Sequence, residues 1–102
     1  MHAPENMIRI VDRVRYSTRT ATLIAGDDYW DGHNWERQNR NRFLYRTPKG
    51  LYFVVTLTQW QGEQDSLEPV SEDEAISLFE GPLSEHEIDY EEAFPDVEVV
   101  DA

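Results

Sequence analysis

Between Asn41 and Trp60, apolar and polar side chains alternate on either side of Thr47-Pro48-Lys49-Gly50. Proline second and glycine fourth predict a type I turn closed by a glycine in the left-handed region. That turn pairs Thr47 with Leu51, and same-face partners then follow at steps of two. One face holds Tyr45 with Phe53, Phe43 with Val55, and Leu57. The other holds Arg46 with Tyr52, Leu44 with Val54, Arg42 with Thr56, and Thr58. The first face is apolar enough to be the core. The second, built of arginine, tyrosine and threonine, predicts a surface that is wet or covered by a partner.

A different period begins at Ser71. Ala75, Ile76, Leu78 and Phe79 fall on one arc, with Asp73, Ser77 and Glu80 opposite, which predicts an amphipathic helix. Ser71 and Glu74 form a capping box, Val70 and Ala75 a hydrophobic staple, and Gly81-Pro82 stops the helix. The acids Glu72, Asp73 and Glu74 suit the dipole of its first turn. A shorter helix is expected over Tyr90–Phe94, with Asp89 as cap, Glu92 as its box partner, Ile88 and Ala93 as staple, and Pro95 as stop. Toward the start, Met7–Tyr16 reads as one strand and Thr18–Ala25 as a second, with Ser17–Thr18 as the turn between them. Gly26–Asn34 and Gly62–Glu68 read as loops. Val97–Val100 has the composition of a late strand or a frayed tail. These elements predict an α+β fold. It is an antiparallel β-meander of three to four strands, with the Ser71–Gly81 helix on its apolar face and a short C-terminal helix. Residues 1–6 are expected to be a disordered lead-in, 7–95 a single domain and 96–102 an acidic tail.

Charge changes this picture more than composition does. All nine cations, eight arginines and one lysine, lie between Arg9 and Lys49. Residues 1–50 carry a net +3, whereas residues 51–102 carry 15 carboxylates and no cation, a net of −15. The total of −12 repels nucleic acid and anionic membranes at long range. At 102 residues the chain can bury a core but has little spare stability. It has no cysteine, hence no disulfide and no thiolate metal site. No signal peptide is visible at Met1–Met7, and no apolar run reaches the roughly 20 residues of a spanning helix. A cytoplasmic protein without membrane contact is expected.

Chemistry-bearing patterns are scarce. Asp27, Asp28, Asp31 and His33 cluster, but an EF-type loop begun at Asp27 would place Tyr29 at position 3 and Gln38 at position 12. A zinc site would need a further nitrogen ligand, and only His2 and His86 remain. The cluster therefore reads as an acidic, solvated loop. The serines lack a glycine elbow, and no glycine-rich phosphate loop occurs. No catalytic residue, metal or cofactor is expected, and the chain reads as a non-enzymatic protein-interaction module. Its expected contact face combines Arg40, Arg42, Arg46 and Tyr52 with Trp30 from the adjoining loop. Trp35 and Trp60 are expected to be partly buried. A homodimer is plausible, because the two halves of the chain attract each other. The competing expectation is a small nucleic-acid-associated regulator using the same arginines, since arginine beside an aromatic on a sheet suits single strands. The net charge disfavours it.

Tyr16-Ser-Thr-Arg-Thr-Ala21, Leu44-Tyr-Arg-Thr-Pro-Lys-Gly50 running into Leu51-Tyr-Phe53, Glu68-Pro-Val-Ser-Glu-Asp-Glu-Ala75 and Asp89-Tyr-Glu-Glu-Ala-Phe94 together resemble a family of small, uncharacterised prokaryotic, phage and plasmid proteins. The resemblance spans most of residues 14–95. This chain has Ser17 where the family commonly has aspartate, and Thr56–Trp60 where the family tends to glycine. The resemblance implies a small β-rich fold with a helix. It implies no activity.

Overall fold

A computed structural model describes residues 3–4, 6–27, 40–58 and 64–102. Among them the chain forms seven strands and two helices, all strand pairs being antiparallel. The strands are β1 (Ile8–Val11), β2 (Val14–Ser17), β3 (Thr22–Gly26), β4 (Arg40–Arg46), β5 (Tyr52–Thr58), β6 (Ser66–Val70) and β7 (Glu85–His86). The helices are α1 (Glu72–Glu80) and α2 (Tyr90–Ala93). The α+β class agrees with the sequence. The strand count does not: there is a five-stranded sheet, β6-β5-β4-β3-β7, and a separate two-stranded one, β1-β2.

The central hairpin has the register its turn demands. Arg46 pairs with Tyr52, Tyr45 with Phe53, Leu44 with Val54 and Phe43 with Val55. Gly50 donates to the Thr47 carbonyl at 2.9 Å, and Thr47 donates to the Leu51 carbonyl at 2.8 Å. Gly50 sits at φ +85°, the left-handed region that favours glycine.

Three elements depart from expectation. Met7–Tyr16 is not one strand but the β1-β2 hairpin, reversed at Asp12 (φ 51°) and Arg13 (φ 68°). The type I′ form of a two-residue hairpin turn has positive φ at both central positions, and Asp-Arg supplies it without glycine. Ser66–Glu68, placed within a loop by its polarity, belongs to the edge strand β6 (Ser66–Val70). Its Pro69 fits there because an edge strand can spare a donor. Glu85–His86 adds a two-residue edge on the far side of β3.

Two cores result, one on each face of the sheet. Ile24, Leu44, Tyr52 and Val54 meet Ala75, Phe79, Leu83, Ala93 and Phe94 on the helix side. Phe43, Tyr45, Phe53, Val55 and Leu67 meet Tyr16 on the hairpin side, with Val11 and Val14 packed against them. The expectation that α1 covers the Tyr45/Phe53 face is therefore corrected. The β1-β2 hairpin covers that face, and the helices cover the other. The layers run hairpin, sheet, helices. Each buried face of a sheet must be apolar whichever element lies on it, and here both are.

The helix caps follow the sequence closely at α1 and only in part at α2. The Ser71 hydroxyl accepts from the Glu74 amide at 3.1 Å, and Ala75 and Phe79 are buried. At α2 the Asp89 side chain makes no cap bond; its carbonyl instead accepts from the Glu92 and Ala93 amides. Of residues 1–6, Ala3 and Pro4 meet the sheet: the Tyr45 hydroxyl donates to the Pro4 carbonyl at 3.1 Å, and Ala3, like Met7 beyond it, packs on the hairpin-side core. Val97 packs on the helix-side core, but Val97–Val100 forms no strand. No helix among the described residues is long and apolar enough to cross a membrane.

Candidate functional site

The face expected to be free is largely occupied by the chain itself. Tyr52 is 3% exposed, and its hydroxyl donates to the Ala93 carbonyl at 2.7 Å. Burial raises its pKa, with the neighbouring Arg46 guanidinium acting in the opposite direction. Its ring lies 5.3 Å from that of Phe94. Tyr52 is thus a clamp between β5 and α2 rather than a stacking platform. Arg46 is half-buried, and its Nε is a buried donor without a partner among the described residues. Arg42 is tied to Asp27. The Arg42 amide donates to Asp27 Oδ1 at 2.6 Å, and its Nε lies 3.6 Å from Oδ2. Asp27, read as part of a solvated loop, is only 6% exposed. Burying a carboxylate favours this pairing with a cation and a backbone donor. Arg40 belongs to β4, its side chain outside the described part; Trp30, Trp35, Trp60 and His33 also lie outside the described residues.

The exposed constellation sits elsewhere, on the β1-β2 hairpin. Its register places Arg9, Val11, Val14 and Tyr16 on one side, and Ile8, Ile10 and Arg15 on the other. The first side faces the sheet, and Tyr16 meets Phe53 edge-on at 5.7 Å. Arg9 reaches past it to the edge strand β6, where Nη1 donates at 2.7 Å to both the Leu67 carbonyl and Glu68 Oε1. This covers a backbone acceptor on an edge that would otherwise invite another strand. The second side faces away from the sheet. Ile8 is 54% exposed and Ile10 60% exposed. Arg13 at the turn, Arg15 beside Ile10 and Arg19 beyond the hairpin base are exposed too. Among the described residues none of these three guanidiniums makes an ion pair or hydrogen bond. A shallow groove of about 330 Å³ runs along Ile8, Arg15, Ser17, Arg19 and Thr20.

The opposite surface has the reverse charge. Between Glu72 and Glu92 the chain carries nine carboxylates and no cation. The two outer layers of the fold, hairpin and helices, come from opposite halves of the sequence. On the acidic side, Phe79 stacks on His86 at 3.7 Å, and His86 Nε2 lies 2.7 Å from the Phe79 carbonyl. The Tyr90 hydroxyl donates to Glu80 at 2.8 Å, which raises its pKa. These contacts hold β7 and α2 against α1. No group of three or more residues able to hold a metal occurs among the described residues.

The hairpin surface was missed in the sequence for one reason. In a single strand over 7–16, Ile8, Ile10, Val14 and Tyr16 share a face. The two-residue turn at Asp12-Arg13 inverts that relation: Val14 and Tyr16 go inward while Ile8 and Ile10 go outward. Only the choice of turn decides it. Compared with known proteins, the chain matches no family model, no curated protein and no solved structure.

Proposed function

We propose that this chain is a non-enzymatic protein-interaction module whose contact surface is the outward side of the β1-β2 hairpin. The observation that carries the reading is two neighbouring isoleucines left more than half exposed beside three exposed arginines, Arg13, Arg15 and Arg19, whose guanidiniums make no ion pair or hydrogen bond among the described residues. Isolated exposed apolar residues are ordinary, but a contiguous pair flanked mainly by arginines, with Asp12 as the one carboxylate of the described hairpin, has the composition of a docking patch. Its chemistry fits a polypeptide carrying both carboxylates and β-branched or aliphatic side chains. Burying the isoleucines supplies most of the affinity, and the arginines supply orientation and rate of encounter. Arg42 and Arg46 play a structural part instead, holding Asp27 and crossing the Thr47–Gly50 turn.

Nucleic acid competes for the same arginines. Three guanidiniums on a two-stranded ribbon suit phosphates. Exposed isoleucines do not, and the net −12 of the chain opposes the approach of a polyanion.

Titration of the Ile8 and Ile10 methyl resonances separates the two. A short peptide alternating glutamate and valine should shift both methyls, and the shifts should shrink in 0.5 M salt, a condition that screens exposed charges over about 4 Å. Ile8→Ser with Ile10→Ser, or Arg15→Glu, should abolish binding with the unfolding midpoint little changed. Shifts produced by a single-stranded oligonucleotide and not by the peptide would transfer the reading to nucleic acid. A response to neither removes the surface from consideration.

A further inference from the structure

Resting on the interaction reading above, we infer that one occupant of the hairpin surface is the Glu98–Asp101 segment of a second copy of this chain. Three observations meet here. Val99 and Val100 are 63% and 79% exposed, so this segment keeps apolar side chains in water just as the hairpin does. Its composition, Val97-Glu98-Val99-Val100-Asp101, is that of a strand, yet among the described residues it pairs with none. Among the described residues β1, for its part, is paired on one edge only, with β2. An extended segment laid along the other edge would complete a third strand, with main-chain bonds supplying affinity and alternate side chains selectivity. Either Glu98 with Val100 or Val99 with Asp101 would then share the outward face with Ile8, Ile10 and Arg15, so each register brings one carboxylate and one valine to that face.

Geometry directs this contact between molecules. Val97 is packed on the helix-side core, and the hairpin lies on the opposite face of the sheet. Val100 is three residues beyond Val97, at most about 10 Å of extended chain. Layers packed on either side of a sheet are each about 10 Å from it, and the route from one to the other goes round the sheet edge. The segment therefore falls short of its own hairpin. Electrostatics disfavours the simplest alternative, hairpin against hairpin: that symmetric contact would bring two sets of Arg13, Arg15 and Arg19 together with only Asp12 of each turn as counter-charge, whereas the segment brings further carboxylates. Reciprocal exchange about a two-fold axis satisfies both hairpins at once and closes the assembly. A one-way contact would leave an open end and grow into chains. The surface buried is small, so the association is weak and salt-dependent.

Sedimentation velocity across a concentration series tests this. The full chain should move from monomer toward dimer at low salt. Removing Glu98–Ala102, or making Val99→Ser with Val100→Ser, should weaken self-association at least about tenfold, as should Arg15→Glu with Ile8→Ser. Neither the removed segment nor the substituted side chains support a core, and circular dichroism melts should stay close to those of the full chain. Mixing the hairpin variant with the shortened chain leaves one intact hairpin and one intact segment, and should restore a single heterodimer contact. A full chain that remains monomeric at every concentration, or a dimer indifferent to removal of Glu98–Ala102, overturns the inference. If the shortened chain nevertheless shifts its Ile8 and Ile10 methyls with the glutamate–valine peptide, the interaction reading stands without self-exchange. If it does not, both fall together.

Discussion

The two faces of the five-stranded sheet are equally dry but differently covered. On one face lie α1 and α2, which turn an apolar stripe inward and their carboxylates outward. On the other lies a two-stranded hairpin, which has two flat sides and can bury only one. Its inner side, with Val11, Val14 and Tyr16, completes a core. Its outer side presents Ile8, Ile10 and Arg15. The comparison teaches that the helix cover is a closed solution and the hairpin cover an open one. An amphipathic helix can dispose of its apolar residues entirely, whereas a flat hairpin leaves its outward isoleucine pair in water. The covers also differ in sign, so the fold holds a cationic outer layer against an acidic one.

The comparison breaks most sharply where each cover meets the sheet. Phe94 anchors the helix side and Phe53 the hairpin side, both fully buried. Phe94→Ala and Phe53→Ala should each cost about 3–5 kcal/mol in urea unfolding. Loss of Phe53 should also raise hydrogen exchange in β1 and β2 more than in α1, and loss of Phe94 the reverse. Equal effects on both layers would mean that the covers are not separately attached.

Alkali strikes at tyrosines on both faces. Burial pushes the Tyr45 hydroxyl up to about 12, and it raises Tyr52 as well. An unfolded chain starts to ionise its tyrosines near pH 10. Between that pH and about 12 the unfolded state binds fewer protons than the folded one, so stability falls as pH rises. The urea midpoint should hold steady below pH 10 and decline above it, and Tyr45→Phe should flatten part of the decline.

Removing one hydroxyl at a time gives a finer comparison. Tyr52→Phe leaves the Ala93 carbonyl without its donor in the buried clamp and should cost about 1–3 kcal/mol. Tyr45→Phe releases the Pro4 carbonyl, which is only part-buried and open to water, and should cost about 0.5–1 kcal/mol. The smallest change runs the other way. Arg13→Gly turns Asp12-Arg13 into the favoured pair for a turn with two positive φ angles. It should stabilise the chain by about 0.5–1 kcal/mol in thermal unfolding.

Local chemistry was legible from residues alone. Thr47-Pro48-Lys49-Gly50 specified the whole register from Arg40 to Thr58, because a turn with one compatible closure leaves no freedom in the pairing beyond it. Ser71 with Glu74, and Gly81 with Pro82, marked the ends of α1 for the same reason: the groups they satisfy are three or four residues away. The +3 and −15 halves were equally plain in the composition. Long-range packing settled the rest. Leu44, Val54 and Tyr52 lie between arginines and threonines, and alternation says which residues share a face but not what covers it. The folded chain buried that face under helices whose capping signals carry no address. Asp12-Arg13 lacks the glycine that marks a hairpin, so the reversal that sends Ile8 and Ile10 outward emerged only when Val14 and Tyr16 found Phe53 and Val55 across the core. Turns and caps are satisfied by neighbours in the chain; the choice of face is made by whichever distant surface removes the most apolar area from water.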